Sequence, residues 1–174
     1  TGILDYATRE LGMDRVAVLA VALGLSLFQL PLMPIAASVS DRIGRIRVYT
    51  FGIVGLCLWA VPLFLLVDTG DIVLMAVGMF VAGVFLSVMY APQAALFAEL
   101  FSAEVRYTGA SLGYQIASVV GGGFAPFAMV ALLSAAGTSM AVSAYLIGLG
   151  LVALLSVGLL VRGRRAREEA GAEG

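Results

Sequence analysis

The sequence has no histidine and no lysine, one cysteine, and only 12% charged residues in 174. Without histidine, imidazole metal sites and histidine-based catalytic triads are excluded. Cys57 alone forms no intrachain disulfide, zinc cluster or CxxC redox pair. The shortage of charge has the widest consequence. Soluble domains carry about a quarter charged residues; half of that cannot cover a water-facing surface, and 61% of this chain is hydrophobic. The composition is that of an integral membrane protein, and the expected fold is all-α. No cofactor, metal or nucleic-acid partner is expected, the lipid bilayer being the first partner. Nor is an enzyme expected, because a membrane-embedded one needs a nucleophile, base or metal ligand inside the bilayer.

What charge there is lies in short clusters. A spanning helix needs about 20 apolar residues to cross roughly 30 Å of hydrocarbon. Charge-free stretches of that length predict spans at about 16–40, 48–67 and 72–98, and the long run from 107 to 161 divides into 107–133 and 138–161. Asp68-Thr69-Gly70-Asp71 is a tight connection between the second and third. The first fifteen residues mix Asp5, Arg9, Glu10, Asp14 and Arg15 with no basic leader or apolar signal core. Since the chain also starts at Thr1, it is expected to be a fragment beginning in an extramembrane loop, 1–15. Residues 162–174 read as a solvated tail.

The arginines set an expected orientation, because Arg is retained in short cytoplasmic loops. Arg42, Arg45, Arg47, Arg106, Arg162, Arg164, Arg165 and Arg167 fall on one side of the five-span arrangement; only Arg9 and Arg15 fall on the other. The N-terminal loop is thus expected outside and the tail in the cytoplasm.

No Asp, Glu or Arg lies in the middle of a span, so the usual intramembrane proton carrier is missing from these spans. The neutral polar groups are the candidates for a substrate cavity. Gln29 sits near the centre of the first span, just before Pro31 and Pro34. Two readings stand: a bent helix beside a cavity, or a Gln bonded to a neighbouring helix. Ser87, Tyr90 and Gln93 recur every three residues around Pro92, which puts them on one side of a helix. Tyr114 and Gln115 add polar groups to the fourth span. Along that span Gly109, Gly113, Ala117, Gly121 and Ala125 repeat every four residues, a stripe against which another helix can approach closely. Gly121, Gly122 and Gly123 add flexibility.

Between the first two spans lies Asp41-Arg42-Ile43-Gly44-Arg45. The carboxylate can accept hydrogen bonds from a helix N-terminus, the arginines can reach carboxylates or carbonyls, and Gly44 allows the reversal. This loop resembles the cytoplasmic motif of the major facilitator superfamily in its weaker second copy, with Ala37 where the leading Gly usually stands. A second stretch, from Glu99 through Arg106 to Tyr114 with Gly121 to Gly123 and Pro126 beyond, is similar to the segment joining the tenth and eleventh helices in the metabolite:proton symporter branch. Ser102 stands where that pattern usually has Pro.

The resemblance implies that the five spans are helices eight to twelve, an incomplete six-helix half of a twelve-helix fold, whose partner is the N-terminal half of the same transporter. It implies a bacterial inner-membrane symporter for a small organic acid or zwitterion and H+. A drug or sugar antiporter of the same superfamily and a non-transporting scaffold are the alternatives. By the same resemblance Ser87 and Tyr90 face substrate and Gln29 and Gln115 border the cavity. Asp41, Arg42, Gly44 and Arg45 form a cytoplasmic gating motif, Glu99 and Arg106 anchor the start of the eleventh helix, and the small-residue stripe contacts the other half.

Overall fold

A computed structural model describes residues 2–100, 106–136 and 138–172, and every regular element among them is helical. α1 (Gly2–Arg9) replaces part of the loop expected over 1–15. Ile3, Leu4 and Ala7 lie within one turn of each other, so the segment buries an apolar side. Ala7 is fully covered in a cluster with Val18, Leu63, Val67 and Met75.

α2 (Arg15–Ile43) starts where the Asp14 carboxylate accepts the Ala17 N–H at 2.9 Å, an N-cap bond that satisfies a helix-end donor. It runs unbroken through Pro31 and Pro34. Gly44 alone separates it from α3 (Arg45–Val67). Its N–H donates to the Ser40 carbonyl at 2.9 Å with φ +110°, a backbone region that side chains with a Cβ avoid. At the far end of α3, Gly70 with φ +70° closes the turn into α4 (Ile72–Tyr90), and the Asp71 carboxylate accepts the N–H groups of Val73 and Leu74.

The span expected over 72–98 turns at Ala91 and Pro92 before continuing as α5 (Gln93–Leu100). Proline offers no N–H to the carbonyl four residues back, which breaks the ladder there.

The fourth expected span, 107–133, is the largest departure. It consists of α6 (Arg106–Ala117), a π-helical stretch (Ser118–Gly123) and α7 (Phe124–Ala136). Three successive glycines remove the side chains that hold a helix to regular winding, and the wider π-turn takes the slack. Among the described residues four segments, not five, are long and apolar enough to cross a membrane: Arg15–Ile43, Arg45–Val67, Ile72–Leu96 and Met140–Gly163. The all-α membrane class stands; the fourth expected span is interrupted. α8 (Met140–Ala172) carries the expected tail onward as helix, in keeping with its Arg, Glu and Ala content.

α3 is the centre of the bundle, packed most closely on α4 and also on α8 and α2. Trp59 Nε1 donates to the Gly78 carbonyl at 2.9 Å, and Ser143 Oγ on α8 donates to the Ala60 carbonyl at 3.3 Å. A Cβ placed on Gly52 would lie 2.8 Å from the Met89 backbone nitrogen, so α3 and α4 meet backbone to backbone. α6 and α7 touch the rest lightly, through α5, α8 and α1.

Candidate functional site

The interior polar residues come first. Gln29, half-buried, donates from Nε2 to the Gly83 carbonyl of α4 at 3.3 Å. This is the second of its two readings, a tie between neighbouring helices. Ser87 is fully buried, and its Oγ has no hydrogen-bond partner among the described residues. Tyr90 is 48% exposed and Gln93 half-buried on the next helix. The turn at Pro92 therefore puts Gln93 on a separate helix from Ser87 and Tyr90, and on α4 itself Ser87 is inside the bundle and Tyr90 at its surface. Tyr114 and Gln115 are exposed on α6. The structure joins Gln29 and Ser87 to the same helix seam but does not bring Tyr114 or Gln115 to them.

The stripe on α6 and α7 is exposed at Gly113. A Cβ on Gly113 would meet nothing within 4 Å. Leu112, Val119, Phe124 and Phe127 on the same helices are also exposed. The side-chain surroundings of Glu99, Arg106, Gly109, Ala117 and Gly121 lie outside the described residues; Ala125 is half-buried.

At the Arg-rich end the Arg45 guanidinium pairs with Asp41 across Gly44, Nη2 to Oδ1 at 3.0 Å and Nε to the same oxygen at 3.2 Å. Both are outside the apolar interior, where such a pair is worth little in stability. Its geometric effect is larger, because it holds the end of one long helix to the start of the next. Arg42 is exposed.

Sequence reading missed the opposite end. Asp68 accepts from Tyr6 Oη at 2.8 Å and from Ser139 Oγ through its other oxygen. One carboxylate thus ties together α1, the α3–α4 turn and the start of α8. Beside it is a recess of about 430 Å³ lined by Asp5, Tyr6, Arg9, Glu10, Thr138 and Ser139 among others. Asp5 within it is already paired with Arg9 at 2.7 Å. The available signal was weak: Asp68 reads locally as a turn residue, and its partners lie 62 and 71 residues away.

The Tyr6 hydroxyl is pushed up to about 12, chiefly by burial and then by its bond to Asp68 and the charges of Asp68 and Glu10. A folded-state value above the ordinary one of about 10 means that the folded chain holds this proton more tightly. The clasp's contribution is therefore fully present below about pH 10 and is lost as pH rises through about 12. Denaturation followed by Trp59 fluorescence should show the protein losing stability relative to Tyr6→Phe across that window. Parallel pH curves for the two would remove the clasp from the account.

Comparison with known proteins adds lineage to this geometry. The model of the Major Facilitator Superfamily matches residues 1–174. The shikimate transporter of Escherichia coli (strain K12) is 35% identical over 168 residues, covering 94% of this chain and 38% of that protein. The inner membrane metabolite transport protein YhjE of the same organism is 33% identical over 130 residues, 71% of this chain and 29% of its own length. The chain thus spans well under half the length of these relatives. No solved structure gave a significant match.

Proposed function

The chain belongs to the Major Facilitator Superfamily, and from that premise we propose that it is the C-terminal part, helices eight to twelve, of a secondary transporter. The transporter moves a small polar metabolite, an organic acid or zwitterion, across the bacterial inner membrane by alternating access and proton symport. The observation that carries this reading is the similarity to the shikimate transporter along 94% of the chain.

In this reading the Arg-rich end faces the cytoplasm and the end bearing Tyr6 and Asp68 faces out, as the distribution of arginine favours. The bundle rocks against an N-terminal half around a midplane site. Asp41, Arg42, Gly44 and Arg45 form the inner gating motif, and the Asp41–Arg45 pair stabilises one of the two states. Glu99 and Arg106 anchor the eleventh helix. The α6–α7 stripe, open at Gly113, packs on the other half, and the π-helical turn at Ser118–Gly123 lets that helix flex as the halves slide. Gln29, Ser87, Tyr90, Gln93, Tyr114 and Gln115 border the substrate route, with Gln29 also bracing α2 on α4. The proton carrier belongs to the other half, since the spans here lack a central carboxylate.

Uptake of labelled shikimate and related organic acids into proteoliposomes tests this reading. An inward proton gradient should accelerate uptake. Equal uptake with and without the gradient removes symport, and no flux of any solute by protein that assembles normally favours a scaffold.

A further inference from the structure

The two ends of the bundle use their charges differently. At the acidic end Asp14 and Asp71 cap helices, Asp68 holds the clasp and Asp5 pairs with Arg9. At the other end only Arg45 has an ion pair among the described residues, and it neutralises Asp41. Arg47 is exposed and keeps its charge beside two adjoining hollows. The first is a polar recess of about 590 Å³ along residues 40–47. The second is an apolar groove of about 520 Å³ between α2, α3 and α4, lined by Leu32, Ile35, Ala36, Val39, Phe51 and Val88. Ile43 and Arg47 line both, so the two adjoin along the Arg47 side chain.

We infer that this pair of hollows is a binding site for one anionic phospholipid, with its phosphate at Arg47 and an acyl chain in the groove. The dimensions fit a lipid of a single leaflet. From Leu32 to Ile43 the groove follows α2 for eleven residues, roughly 16 Å at about 1.5 Å each, which is half of the roughly 30 Å hydrocarbon core. The charge fits as well: residues 40–47 carry three arginines against one carboxylate, Asp41, which is already paired with Arg45. A zwitterionic lipid gains the same apolar contact without the net attraction. The site concerns the membrane rather than the transported solute, so it stands or falls separately from the transport reading.

The test uses the purified full-length transporter in detergent, incubated with an equimolar mixture of phosphatidylglycerol and phosphatidylethanolamine carrying identical chains. Bound lipids are counted by native mass spectrometry. Phosphatidylglycerol should be retained about fivefold over phosphatidylethanolamine, the factor expected for one arginine at an anionic surface. Arg47→Gln should abolish the preference while leaving total lipid nearly unchanged, and Arg47→Lys should keep it. Val39→Trp, which fills the groove, should reduce both lipids. Arg162→Gln, an exposed arginine on α8 lining neither hollow, should change nothing, and excess glycerol 3-phosphate should not displace the lipid. The site is overturned by equal retention of the two lipids, by equal effects of the Arg47 and Arg162 changes, or by full retention in Val39→Trp. Displacement by glycerol 3-phosphate would also overturn it, as the mark of a simple anion site, and so would a second protein copy occupying the groove.

Discussion

Gly52→Leu is expected to destabilise the bundle by about 3 kcal/mol or more, lowering the melting temperature by roughly 5–10 °C. The reason is local and steric. A Cβ at this position would sit 2.8 Å from the Met89 backbone nitrogen and 3.0 Å from its Cα. Backbone cannot move aside as the tip of a side chain does, so α3 must separate from α4. That seam carries the Trp59–Gly78 hydrogen bond, and both helices also hold α2, so the disturbance spreads through the bundle. Gly148 on α8 is the control, because nothing lies within 4 Å of a Cβ there. Gly148→Leu should melt with the unmodified protein. Thermal unfolding followed by size-exclusion chromatography checks both, and equal melting of the Gly52 and Gly148 variants would contradict the close approach.

Gly113→Leu should behave in the opposite way, folding normally but losing uptake by about tenfold or more. Within this chain a Cβ at Gly113 meets open space, and a lipid-facing Leu costs nothing there. Under the proposed function the same face packs on the N-terminal half in the intact transporter. An inserted isobutyl group then props apart a contact that must close once in every cycle, and overpacking of that kind costs about 1–3 kcal/mol. Melting temperature and initial uptake rate, measured on one preparation, separate the effects. Unchanged uptake would mean that the stripe faces lipid.

Much of this architecture was legible in the sequence because bilayers impose simple rules. The charge-free runs pointed to membrane-length helices, of which the structure has four, the Asp41–Arg47 cluster marked the break between the first two, which is Gly44 alone, and Asp68 to Asp71 marked a tight turn. What local pattern could not carry was pairing across distance. Asp68 looked like a turn residue, yet it also gathers Tyr6 and Ser139. Gln29 gave no sign of which carbonyl it would reach, and the structure puts that of Gly83 opposite it. The glycines of the fourth span announced close packing, whereas the backbone-to-backbone approach that the structure shows is at Gly52 against Met89. Gly78 and Ala82, four residues apart and buried on α4, were the available signal for that seam. Gly121 to Gly123 read as a source of flexibility, but sequence alone did not give the form that flexibility takes, a π-turn dividing one crossing into two helices.

The central claim is that these helices belong to one half of an alternating-access machine. Uptake of labelled organic acid in a strain lacking the transporter tests that directly, comparing this chain alone, an N-terminal polypeptide carrying helices one to seven alone, the two expressed together as separate polypeptides, and the continuous protein. The account predicts uptake by the continuous protein, partial uptake by the co-expressed pieces, and none by either piece alone, because a single bundle has nothing to rock against. Measurable uptake by this chain alone, or no uptake by the continuous protein for any solute tried, would contradict it.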